Sequence, residues 1–256
     1  MISRIAVGLA LAAGAVLPVR AADPPVIAAA ANLNFALPEI AAAFSKATGQ
    51  RVRLAFGASG NLARQIAAGG PFQLFLAADE ASVAYVAEKG RADGEGALYA
   101  LGRLALYAPA GSAVEVDAEL AGLAAAVRAG KVRRVAIANP EIAPYGRAAR
   151  EVLQKKGLWE PLQGRLAFGE SASHAAQFAL TGAVEAALIP DSIVSAPAFR
   201  ARGRAAALPA ELHEPLRQRM VLVKGAGDTA RAFYRFMSGP EARAILARHG
   251  FAIPAG

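Results

Sequence analysis

Val26-Ile27-Ala28-Ala29-Ala30-Ala31-Asn32-Leu33-Asn34, continued by Phe35-Ala36-Leu37-Pro38-Glu39-Ile40-Ala41-Ala42-Ala43-Phe44, is the stretch that decides the fold. Residues 25–30 are a short apolar run of strand length. From residue 34 the apolar positions take helical spacing, with Leu37, Ile40, Ala41 and Phe44 on one face, and Gly49 stops the helix after Thr48. Residues 52–56 then read as a second strand. Strand, turn, amphipathic helix and strand in close succession are the building unit of an α/β sheet.

Downstream the alternation continues. Residues 61–68 predict a helix closed by Gly69-Gly70, 72–77 a strand, 82–89 a helix ending at Gly90, and 104–108 a strand before Pro109. A second round follows: helix 118–129, strand 135–138, helix 146–156, strand 166–168, helix 173–181 and strand 186–189. Residues 219–223 form a late strand, and 229–237 and 240–248 are closing helices, with Pro240 at a helix start where proline is tolerated. Two successive α/β units with a long C-terminal return predict two doubly wound α/β lobes joined by crossing strands. The expected division is 22–105 plus 219–256 for lobe I and 106–218 for lobe II. Pattern alone also accommodates one larger sheet.

Upstream, residues 1–21 have the plan of a secretory signal peptide. Arg4 is the positive end, 5–17 the apolar run, and Val19 and Ala21 the small residues before a cleavage site. The run is shorter than the about 20 apolar residues of a spanning helix. Charged residues interrupt every later apolar stretch. The expected product begins at Ala22 and is periplasmic. The chain has no cysteine, which excludes disulfides, thiolate metal sites, a cysteine nucleophile and a lipidated N-terminal cysteine.

The net charge is +8, or +6 once Arg4 and Arg20 leave with the signal. The arginines are scattered and few aromatics lie among them, so they read as a solvated surface and no nucleic acid is expected.

Ligands of open α/β sheets sit at the carboxyl ends of strands, where helices begin. The turns there are Ala31-Asn32-Leu33-Asn34, Gly57-Ala58-Ser59-Gly60-Asn61, Asn139-Pro140-Glu141 with Pro144-Tyr145-Gly146, and Gly169-Glu170-Ser171-Ala172-Ser173. Each combines a helix start, whose free N–H groups and dipole favour an anion, with a neutral donor. Ordinary capping by Ser or Asn explains any one of them equally well. Gly57-Ala58-Ser59-Gly60-Asn61 misses the G-x-S-x-G elbow of serine hydrolases, because Asn61 stands at the last glycine. His174, His213 and His249 are the histidines; His213 and His249 read as exposed surface and His174 as a surface helix residue, with no metal-ligand spacing among them. Gly225-Ala226-Gly227 lacks the rest of a dinucleotide loop, and no P-loop occurs. Neutral donors without catalytic groups point to a binding protein with no cofactor, rather than an enzyme.

Several segments together resemble a known family. Ala28-Ala29-Ala30-Ala31-Asn32-Leu33, Phe56-Gly57-Ala58-Ser59-Gly60-Asn61-Leu62-Ala63-Arg64-Gln65-Ile66, Pro71-Phe72-Gln73-Leu74-Phe75-Leu76-Ala77-Ala78-Asp79, Gly102-Arg103-Leu104-Ala105-Leu106-Tyr107, and Phe233-Tyr234-Arg235-Phe236-Met237 with Gly239-Pro240 and Gly250-Phe251, are similar to the periplasmic molybdate-binding proteins of ABC importers. The resemblance implies a periplasmic-binding-protein fold with the ligand in the cleft between two lobes. It further implies capture of molybdate or tungstate by a monomer and delivery to a membrane permease. By position it assigns Asn32 and Ser59 as side-chain donors, Tyr145 as a hydroxyl or backbone donor, and Ala172 as a backbone N–H donor, with Ser171 beside it. Two departures stand out. Pro190 occupies a position that is Tyr in some members, so Tyr145 is expected to supply that hydroxyl from across the cleft. Ala31 also lacks a hydroxyl that some members carry. The alternatives are a receptor for sulfate or another oxyanion, a secreted serine hydrolase using Ser59, and a partner-binding or chemosensory domain.

Overall fold

A computed structural model describes residues 23–254, so the expected signal peptide and its cleavage site lie outside the described residues. Strands β1 (Val26–Ala30), β2 (Arg53–Gly57) and β3 (Phe72–Leu76) run parallel, connected by helices α1 (Ala36–Thr48) and α2 (Ser59–Ala67). Helix α3 (Glu80–Glu88) leads into the long strand β4 (Ala92–Gly102). The chain then enters a second sheet through β5 (Leu104–Pro109), α4 (Ala121–Arg128), β6 (Val135–Ala138), α5 (Pro144–Lys155) and β7 (Leu166–Gly169). Helix α6 (Ala172–Leu180), β8 (Ala186–Pro190), the short helices α7 (Asp191–Val194) and α8 (Pro197–Arg200), and β9 (Gly203–Ala207) complete it. Strand β10 (Leu216–Val223) returns to the first sheet, followed by α9 (Asp228–Met237) and α10 (Pro240–Arg248).

The strand orders are β2-β1-β3-β10-β4 and β7-β6-β8-β5-β9, one sheet per lobe. The expected two-lobed α/β architecture is what the chain adopts. It changes sheet at Arg103 and again within 208–215, so the expected limits at 105/106 and 218/219 fall inside β5 and β10. The two strands that follow β1, and the two that follow β6, lie on opposite sides of it in the sheet, which opens a crevice at the carboxyl ends.

Burial follows the helical and strand periods. Leu37, Ile40 and Phe44 of α1 are fully buried, and the Phe44 ring meets Phe233 and Phe236 edge-on at 5.1 and 5.5 Å. The apolar cluster of the second lobe runs on across the cleft to Ala30, Ala58 and Ala78 of the first. The two lobes are therefore packed together, closed over the space between them.

Candidate functional site

At the closed cleft lies a cavity of about 10 Å³, lined by Ala30, Ala31, Asn32, Gly57, Ala58, Ser59, Ala78, Ala143, Pro144, Tyr145 and Ala172. That is far below the usual about 300–1,000 Å³ of organic-ligand pockets. No lining residue is charged. The space exists because alanine and glycine end the strands: Ala30 pairs with Gly57 across β1 and β2, and Ala77-Ala78 follow β3.

Helix starts surround the cavity. Residues Ser59, Pro144 and Ala172 open α2, α5 and α6, and a 3-10 turn over Ala31–Leu33 follows β1 directly. Ser59 is the first residue of α2, not its cap. The cap positions of α2 and α5 are Ala58 and Ala143, and neither helix has a side-chain cap bond. Their first-turn N–H groups are thus left without the usual side-chain acceptor. Helix α6 differs: Ser171 is its cap, and its Oγ accepts from His174 N at 3.2 Å. Ser171 is accordingly engaged in capping and does not line the cavity, whereas Asn32, Ser59, Tyr145 and Ala172 all do.

The donors are held from behind. Ser59 Oγ accepts from Ala78 N at 2.9 Å, which leaves its own proton for another acceptor. Asn32 Nδ2 lies 3.1 Å from Gln218 Oε1 and 3.4 Å from Tyr145 Oη, and Gln218 Nε2 donates to Tyr145 Oη at 3.0 Å. The 3-10 turn is clasped by the other lobe: Ser192 Oγ donates to Asn32 O at 2.9 Å and Ser173 Oγ to Ala31 O at 2.9 Å. Asn34 Nδ2 donates to Ser173 Oγ at 2.6 Å. Gly60 N donates to Ile142 O at 3.1 Å, and Arg147 pairs with Asp79 at the cleft edge.

The bacterial extracellular solute-binding protein family matches residues 25–252 of the chain. The chain belongs to this family. The molybdate-binding protein ModA of Rhodobacter capsulatus is 38% identical over 249 residues, covering 96% of this chain and 94% of that protein. Its counterpart in Azotobacter vinelandii is 33% identical, with 98% of each covered. Among solved structures, the Azotobacter vinelandii periplasmic molybdate-binding protein superposes with a TM-score of 0.82 at 30% identity, over 90% of this chain and 100% of that one.

For a solute-binding protein, donors that keep their protons are what matter. Burial raises the Tyr145 hydroxyl far above its ordinary value, against a smaller opposing effect of its bonds to Gln218 and Asn32. Burial also pushes Tyr99 well up. Both remain neutral hydroxyls wherever the protein is folded near neutral pH. A serine hydrolase would need a base at Ser59, and the cavity lining contains no histidine or carboxylate.

The histidines correct one expectation. His213, expected at the surface, is 5% exposed, with Nδ1 2.7 Å from Glu214 O, because the crossing segment 208–215 packs into the second lobe before β10 begins. His249 is half-buried and pairs with Glu39 at 2.9 Å, and His174 stacks on Phe178 at 4.7 Å. Pro190 sits at the cap of α7, two residues before Ser192. Sequence reading missed Ser192, Tyr99 and Gln218. Tyr99 lies between Leu98 and Ala100, whereas Gln218 is flanked by Arg217 and Arg219 and Ser192 follows Asp191, so nothing local marks those two as buried.

Proposed function

We propose that the protein captures molybdate, and tungstate as an equivalent tetrahedral dianion, and delivers it to the membrane permease of an ABC importer. In this reading it works in the periplasm as a monomer beginning at Ala22. Asn32 and Ser59 bind the anion from the first lobe, and Tyr145 and the Ala172 N–H from the second, with Ser171 fixing the start of α6. The observation that carries the proposal is the uncharged, closed cavity ringed by helix starts, two of them capped only by alanine. Names of the similar proteins point to molybdate.

The chemistry suits a fully ionised ligand. Fixed N–H and O–H groups in a dry cleft bind a dianion strongly without a counter-charge. A protonated anion would bring a hydrogen to a site that offers donors, so hydrogen phosphate is rejected. Sulfate has the right charge but is smaller, and the cavity's size must reject it. Titration calorimetry of residues 22–256 with molybdate, tungstate, sulfate and phosphate tests this. Saturable heat with the first two is expected. No heat with molybdate at micromolar protein refutes the reading, and tighter binding of sulfate turns it into that of a sulfate receptor.

A further inference from the structure

Behind the cavity lies a buried polar cluster centred on Gln218 of β10, which is fully buried. Its Oε1 is 2.9 Å from Tyr99 Oη and 3.1 Å from Asn32 Nδ2, and its Nε2 is 3.0 Å from Tyr145 Oη. Tyr99 Oη also lies 3.0 Å from the Ala77 carbonyl. Gly102 leaves the room in which these groups meet, since a Cβ there would sit 2.4 Å from Tyr145 Oη and 2.5 Å from Gln218 Nε2.

With the amides turned this way, two groups conflict with their surroundings. Tyr99 has one proton for two acceptors, the Ala77 carbonyl and Gln218 Oε1. Asn32 Oδ1 is buried with no partner. A carboxamide can exchange its O and N with almost no movement of heavy atoms. Turning Gln218 alone would face two N–H2 groups at the Asn32 contact, and turning Asn32 alone would face two oxygens there. The pair can only turn together. When both turn, Tyr99 donates to the Ala77 carbonyl, and Gln218 Nε2 donates to Tyr99 Oη and Asn32 Oδ1. Tyr145 then donates to Gln218 Oε1. Every contact but the longest, the 3.4 Å one between Asn32 and Tyr145 Oη, then has its proton, and one group is left over: the Asn32 N–H2, in the place of the orphan oxygen.

We propose that Gln218 is a positioning residue that sets the donor polarity of the anion site. The Ala77 carbonyl can only accept, and through Tyr99 and Gln218 this turns the Asn32 amide so that it offers N–H to the ligand. The relay closes only when Tyr145 arrives from the other lobe. This rests on the cavity being an oxyanion site, and it makes Asn32 a stronger donor to the ligand than Tyr145.

A double-mutant cycle read by molybdate titration tests it. Gln218→Met keeps the volume without the polarity and should weaken binding about tenfold, the scale of a misdirected hydrogen bond to a charged ligand. Tyr99→Phe, which touches no ligand, should also weaken it. In an Asn32→Ala background Gln218→Met should cost little more, since the amide it orients is gone. Neutron diffraction of the loaded wild-type protein should find the Gln218 deuterons facing Tyr99 and Asn32. Unchanged affinity in folded Gln218→Met, losses that add fully to that of Asn32→Ala, or Gln218 deuterons facing Tyr145 would each overturn the relay. Wild-type protein that fails to bind molybdate removes the oxyanion reading and the relay together; wild-type binding with any of those three results removes the relay alone.

Discussion

Ser59 has a double duty that makes it informative. Its oxygen accepts from Ala78 N, and in the proposed reading its proton goes to the ligand. Ser59→Ala should therefore weaken molybdate binding by about 1–3 kcal/mol through a lost bond to a charged ligand. Ala78 N–H also loses its acceptor, so the ligand-free protein should melt at a lower temperature. Titration calorimetry and a thermal melt separate the two losses, and undiminished affinity would take Ser59 out of the site. A second expectation concerns pH. Because burial raises the Tyr145 and Tyr99 hydroxyls above their ordinary value, both stay protonated, and affinity should be flat between about pH 7 and 9. Stability has the opposite limit. It is fully present below the unfolded tyrosine value and is lost as pH rises beyond it, where the unfolded chain ionises and the buried hydroxyls do not. Affinity that falls already between about pH 7 and 9 would mean that another group titrates in the site. Of the residues read from sequence, Asn32, Ser59, Tyr145 and Ala172 meet at the cavity. Gln218 was not legible there, because a glutamine between Arg217 and Arg219 reads as surface, and it acquires meaning only from the side chains around it.

Helix starts divide by what satisfies them. Helix α4, whose cap position is Leu120, is satisfied from three residues upstream. Asp117 accepts from Glu119 N at 2.8 Å, Ala121 N at 3.0 Å and Gly122 N at 2.8 Å, holding Leu120 at a φ of 61°. Asp117→Ala should cost about 0.5–2 kcal/mol in a denaturant melt, as lost caps do. Burial tends to raise its carboxyl, but the backbone N–H groups of Gly122, Ala121, Glu119 and Leu120 outweigh that and hold it below its ordinary value. Its stabilisation is therefore present above the unfolded value and lost as pH falls through the folded one. An acid melt in which Asp117→Ala loses as much stability as the wild type would contradict this. Helices α2 and α5 keep alanine at the cap, which leaves their first turns without a side-chain acceptor. Periodicity located these helices, but it placed the start of α2 at residue 61 and missed β4 and β9. Strand β4 carries 93–96, a polar, glycine-broken stretch without alternation, and is a strand because β10 pairs with it. Strand β9 is Gly203 to Ala207, too plain to signal a face, and forms on the free edge of β5.

The whole molecule depends on how closely two lobes approach. Gly60 lies where a Cβ would sit 2.8 Å from Ile142 O of the other lobe. Gly60→Ala should hinder closure, weaken molybdate binding about tenfold, and leave the melting of the ligand-free protein within about 1 kcal/mol, since the two lobes need not close for each to fold. Small-angle scattering should show wild type contracting on adding molybdate and Gly60→Ala contracting less. Equal contraction and equal affinity would show that the contact does not govern closure.

The α/β alternation, the small residues that end the strands and the neutral donors after them are local properties of the chain, and reading the sequence was enough to find them. Whether a serine or an alanine at a helix start serves as a cap or lines the cavity was decided only by the tertiary structure. A free N–H group acquires an anion-binding role only when others converge on the same dry space. That convergence is made by strands that cross between sheets at Arg103 and 208–215, bringing together turns far apart in the chain. The buried contacts of the Asn32 amide with Gln218 and Tyr145 likewise join residues far apart in the chain, which no local pattern encodes.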